Sequence, residues 1–314
     1  MRIGIDLMGG DFFPSAPVEG VIQAQKKSAG MIKPVLIGDR EIIIAELLRQ
    51  GVEADAFEII HTSQVIEMGE SPTKAITAKP DCSINVGMRM VKEGKIDAFV
   101  SAGNTGAMLV SSSLVLGNIP GVARPAIAVL FPSHSGKLTL LVDIGANIDA
   151  KPEYLVQFAQ LGSEFMEDVM QVNSPKIALL NVGEEKGKGT QSVKEAYLLL
   201  EKTEKISFVG NVEGRDIFSG KADVLVCDGF TGNIVLKFAE SMYENLKDAF
   251  GENEPFIQKF NFENYGGVPV LGINGVVMIG HGISNGKAFS NMIFRAAEAV
   301  EKDLTGKIKK AFEA

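Results

Sequence analysis

The stretch AFVSAGNTGAML, residues 98–109, joins an apolar run to a segment of helical period through a glycine-rich turn. Residues 98–101 have the pattern of a buried strand, and residues 105–116 have the apolar spacing of a helix. A strand that passes through Gly-Asn-Thr-Gly into a helix is the repeating element of α/β proteins. The stretch therefore predicts an α/β fold with a turn suited to binding a ligand.

The same alternation extends along the whole chain. The predicted strands are residues 2–6, 34–37, 57–61, 98–101, 126–131, 138–143, 176–181, 206–209, 224–227 and 275–279. The predicted helices are residues 17–27, 40–50, 83–93, 105–116, 153–170, 191–201, 234–250 and 285–303. Most of these strands are apolar on both faces, as in a parallel sheet that helices cover. We predict a three-layer α/β/α sandwich with a mostly parallel sheet.

Length and composition indicate one large folded body. The chain has 314 residues, of which 46% are hydrophobic, and this is enough to fill a substantial core. No linker, low-complexity tract or repeat marks a boundary. We therefore predict a single composite domain over residues 1–314.

Charge and hydropathy exclude several classes of protein. The net charge is -8 and no basic run exceeds Lys309-Lys310, so a nucleic-acid partner is not expected. No apolar run approaches the roughly 20 residues that a membrane helix needs. The N-terminus, MRIGIDLMGGD, is typical of a strand and not of a signal peptide. Cys82 and Cys227 form no disulfide framework or metal cluster, which suits a reducing cytoplasm.

Five predicted strands run into glycine-rich polar turns. These turns lie at residues 6–11, 102–106, 144–152, 182–190 and 228–233. Ligands of open α/β sheets bind beyond the carboxyl ends of the strands, where glycine admits close backbone approach and helix N–H groups attract anions. One such turn alone would be explained by ordinary turn and capping residues. Five together predict an anion site, with the Gly-x-Thr-Gly turns at 103–106 and 229–232 facing a common cleft.

Familiar phosphate motifs and protein nucleophiles do not fit the sequence. GEEKGKGT, residues 183–190, is one residue short of a P-loop and lacks its Ser/Thr, and no G-x-G-x-x-G follows the first strand. Lys188 either binds an anion through its ammonium group or is a solvated surface residue. His281, between glycines at a strand-to-helix junction, is the best acid/base or anion-binding candidate among the histidines. The apolar strand before Cys227 predicts burial of that thiol.

Several ordered motifs resemble those of the bacterial phosphate acyltransferases of phospholipid synthesis. They are IDLMGGD (5–11), SAGNTGA (101–107), VDIGANIDAKPE (142–153), LLNVGEE (179–185), FVGNVEGRDI (208–217), ADVLVCDGFTGN (222–233) and NYGG (264–267). The resemblance covers residue 1 to about residue 300. It implies transfer of a fatty acyl group from acyl carrier protein to inorganic phosphate. It also implies a fold related to phosphotransacetylases and isocitrate/isopropylmalate dehydrogenases, and a homodimer.

The reaction that the resemblance implies sets requirements for the site. Phosphate is itself the nucleophile, so no catalytic Ser or Cys is needed. The reaction instead needs a pocket for the phosphate anion, donors for the oxyanion and a group that assists the leaving thiol. We predict catalytic roles for Lys188, Asn233 and His281, and orienting roles for Asp6 and Asp143. The predicted substrate-binding residues are Gly9, Gly10, Gly103, Asn104, Thr105, Asn147, Lys151, Asp228, Gly229, Thr231 and Gly232. No metal or cofactor is expected.

Partners and location follow from the same resemblance. Acyl carrier protein and inorganic phosphate are the expected substrates, and a downstream membrane glycerol-3-phosphate acyltransferase is an expected partner. The expected location is cytoplasmic, with peripheral contact at the inner membrane surface. The segment that carries this contact in the family is short and partly acidic here, at residues 244–263. Its phenylalanines, Phe250, Phe256, Phe260 and Phe262, either form an apolar tip or pack inside the protein.

Two other readings of the sequence stay open. One is an enzyme of related fold, either a phosphotransacetylase-like acyltransferase that uses a coenzyme A thioester or a decarboxylating dehydrogenase. The other is a module that binds acyl groups or phosphate without turnover.

Overall fold

The structure is a computed structural model that describes residues 1–134, 136–251 and 254–313. Its strands are β1 (Arg2–Asp6), β2 (Lys33–Gly38), β3 (Glu58–His61), β4 (Ala98–Ser101), β5 (Ala126–Pro132), β6 (Leu138–Val142), β7 (Lys176–Asn181), β8 (Ser207–Glu213), β9 (Val224–Val226), β10 (Val268–Leu271) and β11 (Val276–Ile279). Its α-helices are α1 (Ser15–Lys27), α2 (Arg40–Arg49), α3 (Pro72–Ala78), α4 (Ser83–Lys92), α5 (Thr105–Ser111), α6 (Pro152–Asp168), α7 (Gln191–Leu200), α8 (Gly229–Phe250), α9 (Pro255–Gln258), α10 (Gly286–Glu301) and α11 (Leu304–Glu313).

The chain divides into two compact units. Unit 1 consists of Met1–Asn118 and Phe262–Thr305, and unit 2 consists of Ile119–Asn261 and Gly306–Ala314. Each unit has its own run of parallel strands and its own helices. The single composite domain predicted over residues 1–314 stays a prediction.

The strands of unit 1 lie in the order β3-β2-β1-β4-β11-β10. All neighbours are parallel except β10, which runs antiparallel to β11. Every residue of β4 and β11 is buried, so both faces of the sheet are covered at its centre. Helix α10 packs on β4 and β11, and helix α4 packs on β4 and β1. The parallel arrangement brings the carboxyl ends of β1, β4 and β11 to one edge.

The strands of unit 2 lie in the order β5-β6-β9-β7-β8. β5 runs antiparallel to β6, and the other neighbours are parallel. Helix α6 packs on β6 and β9, and α7 packs on β7 and β8. The residues that follow β6, β9 and β7 therefore share one edge of this sheet, and the segment before β5 lies at the same edge.

Several helices begin at a capping side chain. Asp39 accepts the N–H groups of Glu41 and Ile42 at the start of α2, and Thr190 caps α7. The part of the chain that the structure describes contains no helix with both the length and the apolar character to cross a membrane.

The predicted fold class is confirmed, since the sheet is mostly parallel and helices cover it. Several details differ from the sequence prediction, which lacks α3, α9 and α11. Helix α8 begins at Gly229 and not at residue 234, the helix predicted to residue 116 turns into a π-helix at Ser112–Leu116, and β10 was not predicted. Pro269 lies inside β10, and a proline argues against a strand because it cannot donate to the ladder.

Candidate functional site

Three loops of unit 1 contact one another at the carboxyl ends of β1, β4 and β11. A Cβ atom placed on Gly9 would lie 2.7 Å from the Gly103 nitrogen, so the first two loops touch closely. The Asp11 N–H donates to the Gly282 carbonyl at 2.7 Å, which joins the first loop to the loop after β11. Gly10, at φ +94°, adopts a backbone conformation that favours glycine. These loops carry Gly9, Gly10, Gly103 and His281.

The Asp6 side chain holds two of these loops, those after β1 and β4, in place. Its carboxyl group is buried and accepts the Met8 N–H at 2.9 Å and the Ser101 hydroxyl at 2.7 Å. The Ser101 oxygen in turn accepts the Gly103 N–H at 2.9 Å. Burial raises the pKa of the Asp6 carboxyl group. Asp6 therefore orders the loop backbones and does not face solvent.

The Asn104 side chain is fully occupied with holding its own surroundings. Its Oδ1 atom caps α5 by accepting the Ala107 N–H at 3.0 Å. Its Nδ2 atom donates to the carbonyl oxygens of Glu67, Met68 and Glu70 at 3.3, 3.0 and 3.1 Å. Sequence reasoning missed the segment at residues 67–70, because nothing in its composition links it to Asn104.

The neighbouring residue Thr105 is exposed to solvent. The N–H groups of Thr105 and Gly106 have no partner among the residues that the structure describes. The donors that this loop offers to a ligand are thus these two amides and the Thr105 hydroxyl.

His281 is half-buried on the loop after β11. Its Nδ1 atom accepts the Ile283 N–H at 3.3 Å, which assigns the ring proton of the neutral form to Nε2. Asn285 caps α10 and donates from Nδ2 to Glu263 Oε1 at 2.6 Å. The loop that carries His281 is therefore anchored at its helical end.

Asp143 in unit 2 has the same role that Asp6 has in unit 1. Its buried carboxyl group accepts the N–H groups of Ile127, Ala146 and Asn147 at 3.1, 3.1 and 2.7 Å, and the Asn147 side-chain amide at 2.9 Å. Burial raises the pKa of this carboxyl group as well. Asn147 also donates to the Pro125 carbonyl at 2.8 Å, so its side chain is an anchor within the loop.

The first turn of α8 docks on the loop that Asp143 fixes. The Gly229 N–H donates to the Asn147 carbonyl at 2.7 Å, and a Cβ atom on Gly232 would overlap the Asp143 carbonyl oxygen. Asn233 Nδ2 donates to the Ile144 carbonyl at 3.2 Å. Residues 229–233, predicted to be a loop, form the first turn of α8. Glycine at positions 229 and 232 allows this turn to approach the loop closely.

Polar groups at the start of α8 are largely paired with each other. Asp228 accepts the Thr231 N–H at 2.8 Å and the Thr231 hydroxyl at 3.1 Å. Within the described ranges, the Phe230 N–H has no partner. Phe230 therefore contributes the open backbone donor of this turn.

Lys188 lies on the turn after β7 and is exposed. Asn181 holds the turn by donating to the Lys188 carbonyl at 3.1 Å. Lys186, in the same turn, forms an ion pair with Glu201, and Lys221 forms one with Glu184. The Lys188 ammonium group makes no ion pair or hydrogen bond to the described residues. Its charge is therefore available to an anion.

Lys151 is a second exposed cation in unit 2. It precedes α6, and its Nζ atom lies 5.9 Å from the centre of the Tyr154 ring. Because β9 lies between β6 and β7, the start of α8 lies between the loop that ends at Lys151 and the turn that carries Lys188.

The structure thus gathers the predicted residues into two sets, one in each unit. The unit 1 set is Gly9, Gly10, Gly103, Asn104, Thr105 and His281, and the unit 2 set is Asn147, Lys151, Lys188, Asp228, Gly229, Thr231, Gly232 and Asn233. The binding and catalytic roles of both sets stay predictions.

The two cysteines are poor nucleophiles. Both thiols are buried, and this burial raises the pKa of Cys82 and raises that of Cys227 well above its ordinary value. The charges of Asp228 and Asp143 raise the pKa of Cys227 further. Across the residues that the structure describes, no three His, Cys, Asp or Glu side chains cluster as ligands for a metal ion.

Known proteins resemble this chain over nearly its whole length. Residues 1–307 match a family described as "Fatty acid synthesis protein". The phosphate acyltransferase of Halothermothrix orenii is 44% identical over 328 residues, which cover 98% of this chain and 98% of that protein.

Solved structures show the same fold. A phosphotransacetylase from Streptococcus pyogenes aligns with a TM-score of 0.64 at 19% identity, over 96% of this chain and 94% of that chain. The 4-hydroxythreonine-4-phosphate dehydrogenase of Klebsiella pneumoniae aligns with a TM-score of 0.56 at 14% identity, over 95% and 98% of the two chains. At these identities the likeness concerns the fold alone, and it confirms the predicted relation to phosphotransacetylase and dehydrogenase folds.

Proposed function

The chain belongs to the family of phosphate acyltransferases, and we propose that it transfers a long-chain acyl group from acyl carrier protein to inorganic phosphate. The product is an acyl phosphate, which feeds glycerophospholipid synthesis. No cofactor takes part in this scheme.

One observation carries the proposal. The buried carboxyl groups of Asp6 and Asp143 and the side-chain amides of Asn104 and Asn147 fix the loops themselves. Donors on the candidate loops without a partner among the described residues include the Lys188 ammonium group and the N–H groups of Thr105, Gly106 and Phe230. Such donors suit a phosphate anion and the oxyanion that develops on a thioester carbonyl.

The chemistry needs no nucleophile from the protein. A phosphate oxygen attacks the thioester carbonyl carbon, a C–O bond forms and the carbonyl oxygen becomes an oxyanion. The carbonyl then reforms, the C–S bond breaks and the thiolate leaves with the bonding electron pair. Each unit offers its own donors for the phosphate or the oxyanion, namely the Thr105 and Gly106 N–H groups in unit 1 and Lys188 with the Phe230 N–H in unit 2. Asn233 holds the turn that carries the Phe230 N–H. The Nε2–H of His281 donates a hydrogen bond to the departing sulfur, and water supplies the proton that the thiolate takes up.

Exposed cations support an acidic carrier protein as the donor. Arg124 lies just before β5, and Lys151 and Lys188 follow β6 and β7, so all three lie at one edge of the unit 2 sheet. None of the three forms an ion pair with the described residues. Cations at that edge attract an acidic protein and speed its encounter.

A second copy of the chain is the proposed partner of α8. Only Gly229, Gly232 and Tyr243 of this helix are buried. Phe230, Ile234, Phe238 and Met242 recur every fourth residue and are 42–65% exposed, which gives one apolar stripe. Twenty-two residues make a helix about 33 Å long, which suits the length of a dimer interface. A Phe238→Glu variant that stays dimeric by light scattering would exclude this stripe.

The acyl phosphate is proposed to pass to a membrane glycerol-3-phosphate acyltransferase, so the enzyme works in the cytoplasm at the inner membrane surface. Within the short segment 244–263, Phe250 is exposed, whereas Phe260 packs edge-to-face on Phe218 at 5.3 Å between ring centroids. The side chains of Phe256 and Phe262 lie outside the described residues. Phe250 is therefore the residue of this segment proposed for membrane contact.

A comparison of donors tests the proposed function. The protein is incubated with phosphate and either hexadecanoyl-acyl carrier protein or hexadecanoyl-coenzyme A, and acyl phosphate is trapped as the hydroxamate. Phosphate-dependent product from the carrier-protein donor supports the proposal. Product from the coenzyme A thioester alone would assign a phosphotransacetylase-like activity instead.

A further inference from the structure

Four large apolar side chains are exposed on the unit 1 loops that surround its candidate site residues. Phe12 and Phe13 follow the loop after β1, Met68 lies in the segment that Asn104 holds, and Ile283 follows His281. Each is between 40% and 54% exposed. We refer to these four residues as the apolar rim.

Contacts between the three segments keep the rim together. The Asp11 N–H donates to the Gly282 carbonyl at 2.7 Å, which places Phe12 and Ile283 on neighbouring stretches of backbone. A Cβ atom on Gly282 would lie 3.3 Å from the Met68 Cε atom, so Met68 lies against the same point. Isolated exposed apolar residues are common on proteins, but a cluster built on fixed loops indicates a binding surface.

We propose that the apolar rim binds the hydrocarbon chain of the acyl donor, an inference that rests on the proposed function. The rim adjoins the loops of Gly9, Gly10 and His281, so a thioester carbonyl held at these loops places its chain beside Phe12 and Ile283. Removing methylene groups from water favours binding, at about fourfold in affinity for each fully buried methylene.

Local charge favours a free acyl chain over a membrane surface. Asp11 and Glu67 are exposed beside the rim, and residues 8–14, 66–71 and 280–285 contain no Lys or Arg. Anionic membranes recruit clusters of Lys and Arg. A second protein copy is also disfavoured, because a stable interface buries roughly 800 Å² on each partner, more than four half-exposed side chains supply.

The test compares donors of different chain length. We expect kcat/KM of the wild type to rise from butanoyl- to octanoyl- to hexadecanoyl-acyl carrier protein. Met68→Ser and Phe12→Ser each reduce kcat/KM at least about tenfold more for the hexadecanoyl than for the butanoyl donor, since only the long chain reaches the rim. Met31→Ser is the matched control, because Met31 is 72% exposed just before β2, at the opposite edge of the sheet. It keeps the wild-type dependence on chain length.

A binding measurement without turnover separates this inference from the proposed function. Calorimetry with hexadecanoate shows weaker binding to Met68→Ser than to Met31→Ser if the rim binds the chain, even where no donor is turned over. Equal binding to both variants, or an equal loss of kcat/KM with long and short donors, overturns the inference. Alternatively, the wild type floats with phosphatidylcholine vesicles, and Phe12→Ser abolishes flotation while leaving the dependence on chain length intact. That result would assign the apolar rim to a membrane and would also overturn the inference. A wild-type protein that turns over no donor would contradict the proposed function alone.

Discussion

The Ser101 hydroxyl donates to the Asp6 carboxyl group at 2.7 Å. The two residues lie on adjacent strands and are 95 positions apart in the chain. The bond lies beneath the loops after β1 and β4, and Ser101 accepts the Gly103 N–H with the same oxygen. One buried carboxyl group thus sets the positions of both loops. Asp143 does the same for the unit 2 loop.

The buried Asp6 carboxyl group predicts a pH-dependent stability. Burial raises its pKa in the folded protein, so the unfolded chain ionises first and the stabilising contribution of Asp6 is lost as pH rises through the folded pKa. We expect the free energy of unfolding of the wild type, relative to Asp6→Asn, to be greatest below pH 3.8 and to fall above it. The slope is at most about 1.4 kcal/mol per pH unit. Urea unfolding at a series of pH values measures this difference, and a difference that stays constant contradicts the prediction.

Lys188 predicts a loss of turnover without a loss of stability. Its ammonium group has no partner among the described residues, so Lys188→Ala removes a cation that is proposed to contact the substrate and breaks no contact that stabilises the fold. We expect kcat/KM to fall about 100-fold, as when one oxyanion donor is removed. Lys186→Ala is the matched control, because Lys186 lies in the same turn and pairs with Glu201. Similar activities of the two variants would exclude Lys188 from the site.

Asn104 predicts the opposite pattern. Asn104→Ala removes a helix cap and leaves the carbonyl groups of Glu67, Met68 and Glu70 without their donor, at a cost of about 2–3 kcal/mol in the free energy of unfolding. Hydrogen exchange should increase at residues 67–70. Thr105→Ala, on the exposed neighbour, should change stability by less than about 0.5 kcal/mol. If Asn104→Ala is as stable as the wild type and only activity is lost, the side chain contacts the ligand instead.

The cysteines predict an unreactive native protein. Burial raises the pKa of both thiols, so Cys82 and Cys227 should resist Ellman's reagent in the folded protein and react fully in denaturant. Cys227→Ser should also retain turnover. Rapid native labelling that abolishes activity would instead indicate a thiolate at the site.

The sequence predicted the strand-to-helix turns because each follows a buried apolar strand, a local pattern that survives folding. It did not predict that α8 begins at Gly229. By themselves Gly229, Gly232 and Asn233 favour a turn, and they are helical here because they pack against a neighbouring segment. That neighbour is the loop at Asp143, which lies far away in the sequence. The tertiary contact with this loop therefore outweighs the local preference of residues 229–233 for a turn.

The roles of the polar residues were equally hidden. Asn104 and Thr105 are adjacent and both suit a ligand, yet one is occupied by three carbonyl groups and the other is exposed. Only the position of residues 67–70 separates them, and a one-dimensional pattern does not encode that position.

In the proposed reaction, phosphate itself attacks the thioester. Its most direct test measures thiol release and acyl phosphate together, with hexadecanoyl-acyl carrier protein as donor and with phosphate either present or omitted. We predict one acyl phosphate for each thiol released when phosphate is present, and neither thiol release nor an acylated protein by mass spectrometry when it is omitted. Stoichiometric thiol release with an acylated protein in the absence of phosphate would show instead that a group of the protein attacks the thioester.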